Sequence, residues 1–412
     1  MFLSRCLFSF AGVFLVFAFG ISEIKCRKLS ITYNEDCDIP ECEGKNESSN
    51  TFNLAHVVAV GDNDTVHYLW SSVGGPTILL AVTDHKSQLM VNWKKLLVEE
   101  DVSKSIEFTS VPTYSMAMLV TKLIEFNDTK DTADVSNPNS NVTMITPLDS
   151  INWLNFNDTI DSKTCSGTFQ SIRKYKKTNS TLSVKVRAYN ETGRATALPH
   201  MQYTENTTQF DFSIKNFPSH FLNSRYAVEV LMVSDKAAEL HVKKSIDDEY
   251  TPAIFSIMNF VAPASSKSLL GSYSQWKPVV YSDAKHSLSD ALQCHESNVI
   301  QYSDKIPNRS IIRAFFDISH VKLSAVNISF GTTKDKFYKN TNYTSWSVNI
   351  GYGEPPVESL SQLVIIVISA GLGIPVVICI VGGMFTCIRK WKISKAMNSS
   401  RYPAVTTPTS VN

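Results

Sequence analysis

Along most of the chain apolar and polar residues alternate with a period of two rather than 3.6, the pattern of strands with one buried face. Val66, Tyr68 and Trp70 alternate in this way, as do Leu182, Val184, Val186 and Ala188, and then Phe210, Phe212 and Ile214. Further β-rich runs fall at 227–233, 311–318 and 325–330, with turn-prone residues between them, and only a few windows, such as 91–107, suit a helix. Residues 128–150, rich in Asn, Asp, Ser and Thr, read as a long loop. Many short strands predict antiparallel sheets packed as sandwiches. The expected class is therefore all-β: two antiparallel β-sandwich-like domains, at 21–200 and 201–360, with a loosely defined seam near 196–208.

Two uninterrupted apolar segments set the topology. Residues 7–19 follow Arg5 and precede the small residues Gly20 and Ser22, which reads as a cleaved signal peptide over residues 1–20. Residues 363–388 carry no charge and are long enough to cross a bilayer, so 361–388 is expected to be one transmembrane helix. Arg389, Lys390, Lys392 and Lys395 follow at once, whereas Glu354 and Glu358 lie on the other side. The excess of basic residues places the C-terminus in the cytosol and both β domains outside it, a single-pass type I arrangement. Within the helix, Ser369, Gly373, Val376, Ile380, Gly383 and Cys387 share a face on which small residues would let another helix approach.

Hydrophobic residues make up 43% of the 412 and charged residues 19%, so most of the chain can bury a core. Lys plus Arg total 39 against 38 acids, but six of the bases lie in residues 1–20 and 389–412, which hold no acid. The stretch between them therefore has 33 bases against 38 acids, a net of −5, which excludes the strongly basic body of a nucleic-acid binder.

Asn-x-Ser/Thr sequons lie at Asn46, Asn63, Asn127, Asn141, Asn157, Asn179, Asn190, Asn206, Asn308, Asn327 and Asn342, all on the non-cytosolic side, and a twelfth, Asn398, lies in the tail. Such density suggests a sugar coat that keeps proteases from the backbone; assistance to folding and solubility is an equally good reading. Five cysteines remain outside the leader and the membrane: Cys26, Cys37, Cys42, Cys165 and Cys294. Two bridges and one spare thiol allow fifteen arrangements. A local Cys37–Cys42 bridge is plausible, a Cys165–Cys294 bridge would staple the two expected domains, and the spare thiol could be free or could join a homodimer.

Catalytic chemistry is hard to find. The chain contains no H-E-x-x-H, G-x-S-x-G, C-x-x-C, G-x-G-x-x-G or P-loop, and no histidine stands at metal-ligand spacing from another His or a Cys pair. His295 beside Cys294 is a poor thiol–imidazole couple, because neighbours in a strand point to opposite faces. Asp247, Asp248 and Glu249 suit a solvated turn, and Trp276 suits the core better than a binding surface. No cofactor is implied. The short tail, 389–412, is polar, contains Pro403 and Pro408, and is expected to be disordered. It contains Tyr402-Pro-Ala-Val405, the tyrosine-based sorting pattern in which a clathrin adaptor takes the Tyr402 ring and the Val405 side chain in separate pockets.

The runs His67-Tyr-Leu-Trp-Ser-Ser-Val73, Val91-Asn-Trp93, Gln275-Trp-Lys-Pro-Val-Val-Tyr281 and Ile312-Arg-Ala-Phe-Phe316, together with the order of segments, resemble the glycosylated lysosomal membrane protein family. The resemblance implies a non-catalytic accessory subunit of a lysosomal multi-pass major-facilitator transporter that exports dipeptides. It implies further that the lumenal part protects the partner from proteolysis, and it assigns sorting to Tyr402 and Val405 and glycan attachment to the sequons. The alternatives are a lysosomal hydrolase with a site invisible in sequence and a β-sandwich surface receptor.

Overall fold

The computed structural model describes residues 26–43, 52–137, 141–154, 156–175, 178–234, 240–246, 256–263, 270–357 and 362–399. The expected leader, Asn46, the acidic trio 247–249 and the sorting residues Tyr402 and Val405 lie outside the described residues.

The strands run β1 (Lys28–Tyr33), β2 (Leu54–Val60), β3 (Thr65–Ser71), β4 (Thr77–Thr83), β5 (Leu89–Val91), β6 (Ile106–Phe108), β7 (Tyr114–Asn127) and β8 (Asn141–Pro147). Next come β9 (Ser166–Tyr175), β10 (Thr178–Ala188), β11 (Gly193–Arg194), β12 (Gln202–Tyr203), β13 (Thr207–Lys215), β14 (Ser224–Ser234), β15 (His241–Ile246) and β16 (Ser256–Ala262). The last are β17 (Ser272–Trp276), β18 (Val279–Tyr281), β19 (Ala291–Glu296), β20 (Ile300–Gln301), β21 (Lys322–Phe330) and β22 (Tyr343–Tyr352). Short helices α1 (Pro40–Glu43), α2 (Trp93–Leu97), α3 (Phe156–Thr159), α4 (Ile311–Phe315) and α5 (Tyr338–Thr341) interrupt them, and α6 (Gln362–Ser399) closes the chain.

Every strand pairing is antiparallel. One sheet runs β1-β2-β3-β4-β7-β14-β21, with β8 on the far half of β7. A second runs β9-β10-β13-β22, and the other edge of β22 carries β17 and β18, with β16 and β15 beyond β17. β19 belongs to both: Ala291–Gln293 pair with β18, and Cys294–Glu296 pair with β21. Tyr68, Trp70, Leu80 and Met118 from the first sheet join Val184, Phe212, Trp346 and Val348 from the second in a single core. The alternation read from the sequence at β3, β10 and β13 supplies Tyr68, Trp70, Val184 and Phe212 among them. Trp276 is buried in the same core, stacked on Phe260 at 4.8 Å.

Two separate sandwiches are not what the chain builds. It forms one compact unit up to Val357 and a second from Glu358 onward. The expected seam at 196–208 is bridged, since β10 before it pairs with β13 after it, and β7 pairs with β14. The first sheet is also covered on its outer face. Leu69, Leu79, Leu119 and Leu231 pack there under Trp93 and Leu96 of α2 and Ile311 and Ile312 of α4. The run at 311–318, expected as a strand, instead starts a helix: Ser310 caps it, its Oγ accepting from the Arg313 N–H at 3.3 Å. A short apolar run fits either element, and here the cap decides. The window at 91–107 yields only the five residues of α2, capped by Asn92. The loop expected at 128–150 contains β8.

In β7 the register shifts between Glu229 and Val230 of its partner, leaving Thr121 as the extra residue of a bulge. Before it the even-numbered Met116, Met118 and Val120 face the core; after it Leu123 does. The bulge thus keeps one 14-residue strand on the core through a change of parity.

α6 contains a stretch apolar enough to cross a membrane, with no side chain in its most apolar window buried within the chain. It runs through Pro375 and on to Ser399, so residues 389–399, expected to be disordered, are helical. No glycine or proline interrupts that stretch.

Two buried polar groups carry measurable consequences. The guanidinium of Arg225, on β14, donates to Asp128 at 2.8 Å, to Asp131 at 2.7 Å and to Asp335, and it lies 4.5 Å from the Phe337 ring. It ties the ends of β7, β14 and β21 together. Replacing it by Met would leave Asp128 and Asp335 buried without their cation; Arg225→Met is expected to lower stability by about 3–5 kcal/mol, read as a lower urea midpoint at pH 7. Asp131→Asn, at a half-exposed member, should cost far less.

On β2 and β3, His56 and His67 stack at 5.1 Å. The Thr83 hydroxyl donates to the Asp84 carbonyl, so it accepts from His67 Nε2–H at 2.9 Å, and His67 Nδ1 in turn accepts from His56 Nε2–H at 2.9 Å. Burial lowers His56 to about 4; burial and then the neighbouring His56 lower His67 to about 3. Both rings are neutral in the fold and would take up protons on unfolding below about pH 6.5, so stability falls as pH drops from there toward 4. The loss is on the order of 3 kcal/mol per imidazole at most. The thermal midpoint, scanned from pH 7 to 4, should fall less steeply in a His56→Gln/His67→Gln variant than in the parent protein.

Candidate functional site

The sequon asparagines differ in exposure. Asn63, Asn157, Asn179, Asn190, Asn308 and Asn342 are exposed, and Asn127, Asn206 and Asn327 are half-buried. Asn141 lies on β8 with its side chain outside the described set. Thus none of the sequon asparagines with a described side chain is buried. Their hydroxyl partners behave differently. Thr208 is buried, takes the Trp70 Nε1–H at 3.1 Å and donates to the Arg187 carbonyl; Ser310 caps α4; and Ser329 accepts from the Val135 N–H. These hydroxyls belong to the fold as well as to the sequons, so any glycan at such sites would have to be attached before folding.

Cys37 and Cys42 form a disulfide that closes the turn into α1. Cys165 and Cys294 do not pair. Cys165 sits in the turn before β9 with its Sγ 3.6 Å from the Ser162 carbonyl, and Cys294 faces the core from β19 opposite Phe330. Burial pushes both thiols up, which suits inert core residues. Cys26 is exposed.

A serine, a histidine and a carboxylate meet at Glu125 and again at Asp317. Glu125 accepts from the Ser224 hydroxyl and from the backbone N–H of His220, and its other oxygen lies 2.7 Å from His220 Nδ1. Serine and imidazole there both bind the acid rather than each other, and Ser224 is fully buried. At Asp317 the exposed Ser319 hydroxyl donates to one carboxylate oxygen at 2.6 Å and His320 Nδ1 lies 2.8 Å from the other, so that nitrogen carries a proton and is not a base for Ser319, although the two are 2.9 Å apart. Among the described residues no group of three or more His, Cys, Asp or Glu could hold a metal ion.

A concavity of about 900 Å³ lies on the outer face of the second sheet. Its floor comes from the residues between the inward apolar ones: Ser183 and Lys185 of β10, Asp211 and Ser213 of β13, and Ser345 and Ser347 of β22. The register sets Lys185, Asp211 and Ser347 in one row and Ser183, Ser213 and Ser345 in the next. The β11–β12 hairpin, residues 193–203, arches over this floor. Asn349 Nδ2 holds it by donating to the Gln202 carbonyl at 2.7 Å, and His286 bridges the Leu198 carbonyl and the Ser345 hydroxyl at 2.9 Å each. Gln209 donates to Asp211 at 2.7 Å and accepts from the Tyr189 hydroxyl, and Tyr189 stacks on Tyr203 at 3.6 Å. Burial pushes the Asp211 carboxyl up, against hydrogen bonds from Gln209 and Ser347 and the charges of Lys185 and His286.

Reading the sequence for motifs missed this cleft, because it has none. The available signal was the polar phase of the alternation: serines at 183, 213, 345 and 347, where a solvent face more often carries long side chains.

A family model described as glycosylated lysosomal membrane protein matches residues 53–393. Glycosylated lysosomal membrane protein A of Xenopus laevis is 33% identical over 385 residues, covering 91% of this chain and 93% of the relative. The Danio rerio protein of the same family name is 34% identical over 349 residues, covering 82% and 84%. The Homo sapiens protein is 31% identical over 354 residues, covering 83% and 86%. The names of these relatives describe lysosomal membrane proteins rather than an enzymatic activity, and one apolar helix fits a single membrane pass.

Proposed function

The chain belongs to the glycosylated lysosomal membrane protein family, and from that premise we propose that it is a non-catalytic accessory subunit of a multi-pass major-facilitator transporter in the lysosomal membrane. On this reading it is a single-pass type I protein. The β unit faces the lumen, covers the exposed loops of its partner and shields them from lysosomal proteases. Membership of the family is the observation that carries the proposal.

Other features support it. Six of the sequon asparagines are exposed and none with a described side chain is buried, so sugars at those positions could cover much of the β unit without disturbing its core. The helix buries no side chain of its most apolar window within the chain, and Gly373 and Gly383 have no neighbouring atom near the place a Cβ would occupy. That leaves a face on which a second helix could pack closely. The polar cluster at Glu125 lacks the arrangement a hydrolase needs. A sorting role for Tyr402 and Val405, through a clathrin adaptor, completes the reading.

Purification from lysosome-enriched membranes in mild detergent, followed by mass spectrometry, should recover a major-facilitator transporter in near-stoichiometric amount, and loss of this protein should shorten that transporter's half-life unless lysosomal proteases are inhibited. Recovery without a multi-pass partner would overturn the proposal. Tyr402→Ala should raise the protein's level at the plasma membrane several-fold by surface biotinylation; an unchanged distribution would sink the sorting role.

A further inference from the structure

We propose that the cleft between the second sheet and the β11–β12 hairpin is a binding site for an acidic oligosaccharide, one whose sugars bear a carboxylate. The inference goes beyond the accessory-subunit reading and does not depend on it.

Charge is the first observation. The cleft is lined by Lys185, Arg187 and Arg194 against a single carboxylate, Asp211, with His200 and His286 beside them. Yet the chain between leader and tail is net −5, so this is a local positive site on an acidic body. Asp211 is also the group least disposed to oppose an anion, because burial raises its pKa. Guanidinium groups match the two oxygens of a carboxylate geometrically, as well as in charge.

Shape and surface are the second. Ser183, Ser213 and Ser345 form a row of short hydroxyl side chains that makes the trough, and half-exposed Ser183 and Ser213 offer donors and acceptors while Ser345 is buried against His286. Half-exposed Tyr343 at one end offers a flat apolar ring of the kind that packs on the C–H face of a pyranose, while Tyr203, held between Tyr189 and Gly193, closes the other end. Thr181, aligned in register with the Tyr343 end, and Tyr189, beside Tyr203, are eight residues apart. At about 3.3 Å per residue the trough is roughly 26 Å long, the reach of several linked sugars rather than one.

Other occupants fit less well. An extended peptide binds a sheet through an open edge, and β10, β13 and β22 are each paired on both sides. A protein partner would want an apolar centre, whereas this floor is serine, lysine and aspartate.

The sugar could come from two sources. Asn190 follows Tyr189 at one end, and Asn342 precedes Tyr343 at the other, both exposed, so the chain's own glycans could reach in; a glycan on another molecule could do so equally.

The test uses the full-length glycoprotein in detergent at pH 5, either native or treated with sialidase to remove its own terminal acids. The probes are a disialylated biantennary N-glycan and its desialylated counterpart, with affinity read by calorimetry. The sialidase-treated protein should bind the sialylated probe at least tenfold more tightly than the neutral one. Lys185→Ala/Arg187→Ala, at two exposed positions, should lose that preference with an unchanged thermal midpoint. Binding by the treated protein alone would assign the site to the protein's own glycans, and binding by both forms would assign it to an external one. No binding by either form, equal binding of the two probes, or binding indifferent to the double substitution would overturn the proposal.

Discussion

The constraint that organises this fold is that its first sheet is buried on both faces. Tyr68, Trp70, Leu80 and Met118 look toward the second sheet, while Leu69, Leu79, Leu119 and Leu231, one residue along on the same strands, look toward α2, α4 and the segments around them. A sheet covered on one side can alternate cleanly; one covered on both must be apolar almost throughout, as β3, β4 and β14 are. Other features follow from that. Chain has to return twice across the outer face, at β5–β6 and at α4, to supply the second cover. His67 is trapped under that cover against Phe108, at 4.7 Å, and must stay neutral. Arg225, where three of these strands end, can sit so deep only because three carboxylates meet it there.

How much of this could be read beforehand depends on the range of the interaction involved. Period-two alternation identified β10 and β13, because the second sheet has one core face and one polar face and so follows the simple rule, and it found β3 of the first sheet through its large inward residues Val66, Tyr68 and Trp70. It also identified the antiparallel β class and the apolar helix. It failed where the deciding partner is distant in sequence. Residues 311–315 are as apolar as a strand and become a helix because Ser310 caps them and the first sheet offers a flat surface to cover. The stretch at 193–203 has the composition of a linker and is a hairpin laid back over strands on either side of it in sequence. Composition cannot separate a segment that joins two bodies from one that covers a single body. The cleft was illegible for the same reason: its three floor strands bring together residues as far apart as Ser183 and Ser347.

The two sheets differ in their outer faces, and the difference bears on function. On the first sheet that face is apolar and roofed by the chain itself, so it has no reason to meet anything else. On the second it is built of serine, lysine, glutamine and aspartate, roofed only by a short hairpin held through Asn349 and His286. Burying polar side chains under a narrow strap, when a broad apolar roof was within the fold's means elsewhere, is economical only if that surface is meant to remain partly accessible.

The joining of the halves into one body also has an energetic logic. The fraction of surface removed from water grows with the size of a body, so one unit of more than 300 residues buries proportionally more than two of half the size. If the β unit faces an acidic lumen, it must hold neutral imidazoles in a medium that favours imidazolium. That weakens the folded state there, and the losses cannot be relieved without giving up the chain of hydrogen bonds from Thr83 to His56. Two small sandwiches would meet those losses with two small cores. A single core, continued across both sheets by the sheet-switching strand β19, spreads them over the whole body, and the bridging of the residue-200 boundary is the structural form that this margin takes.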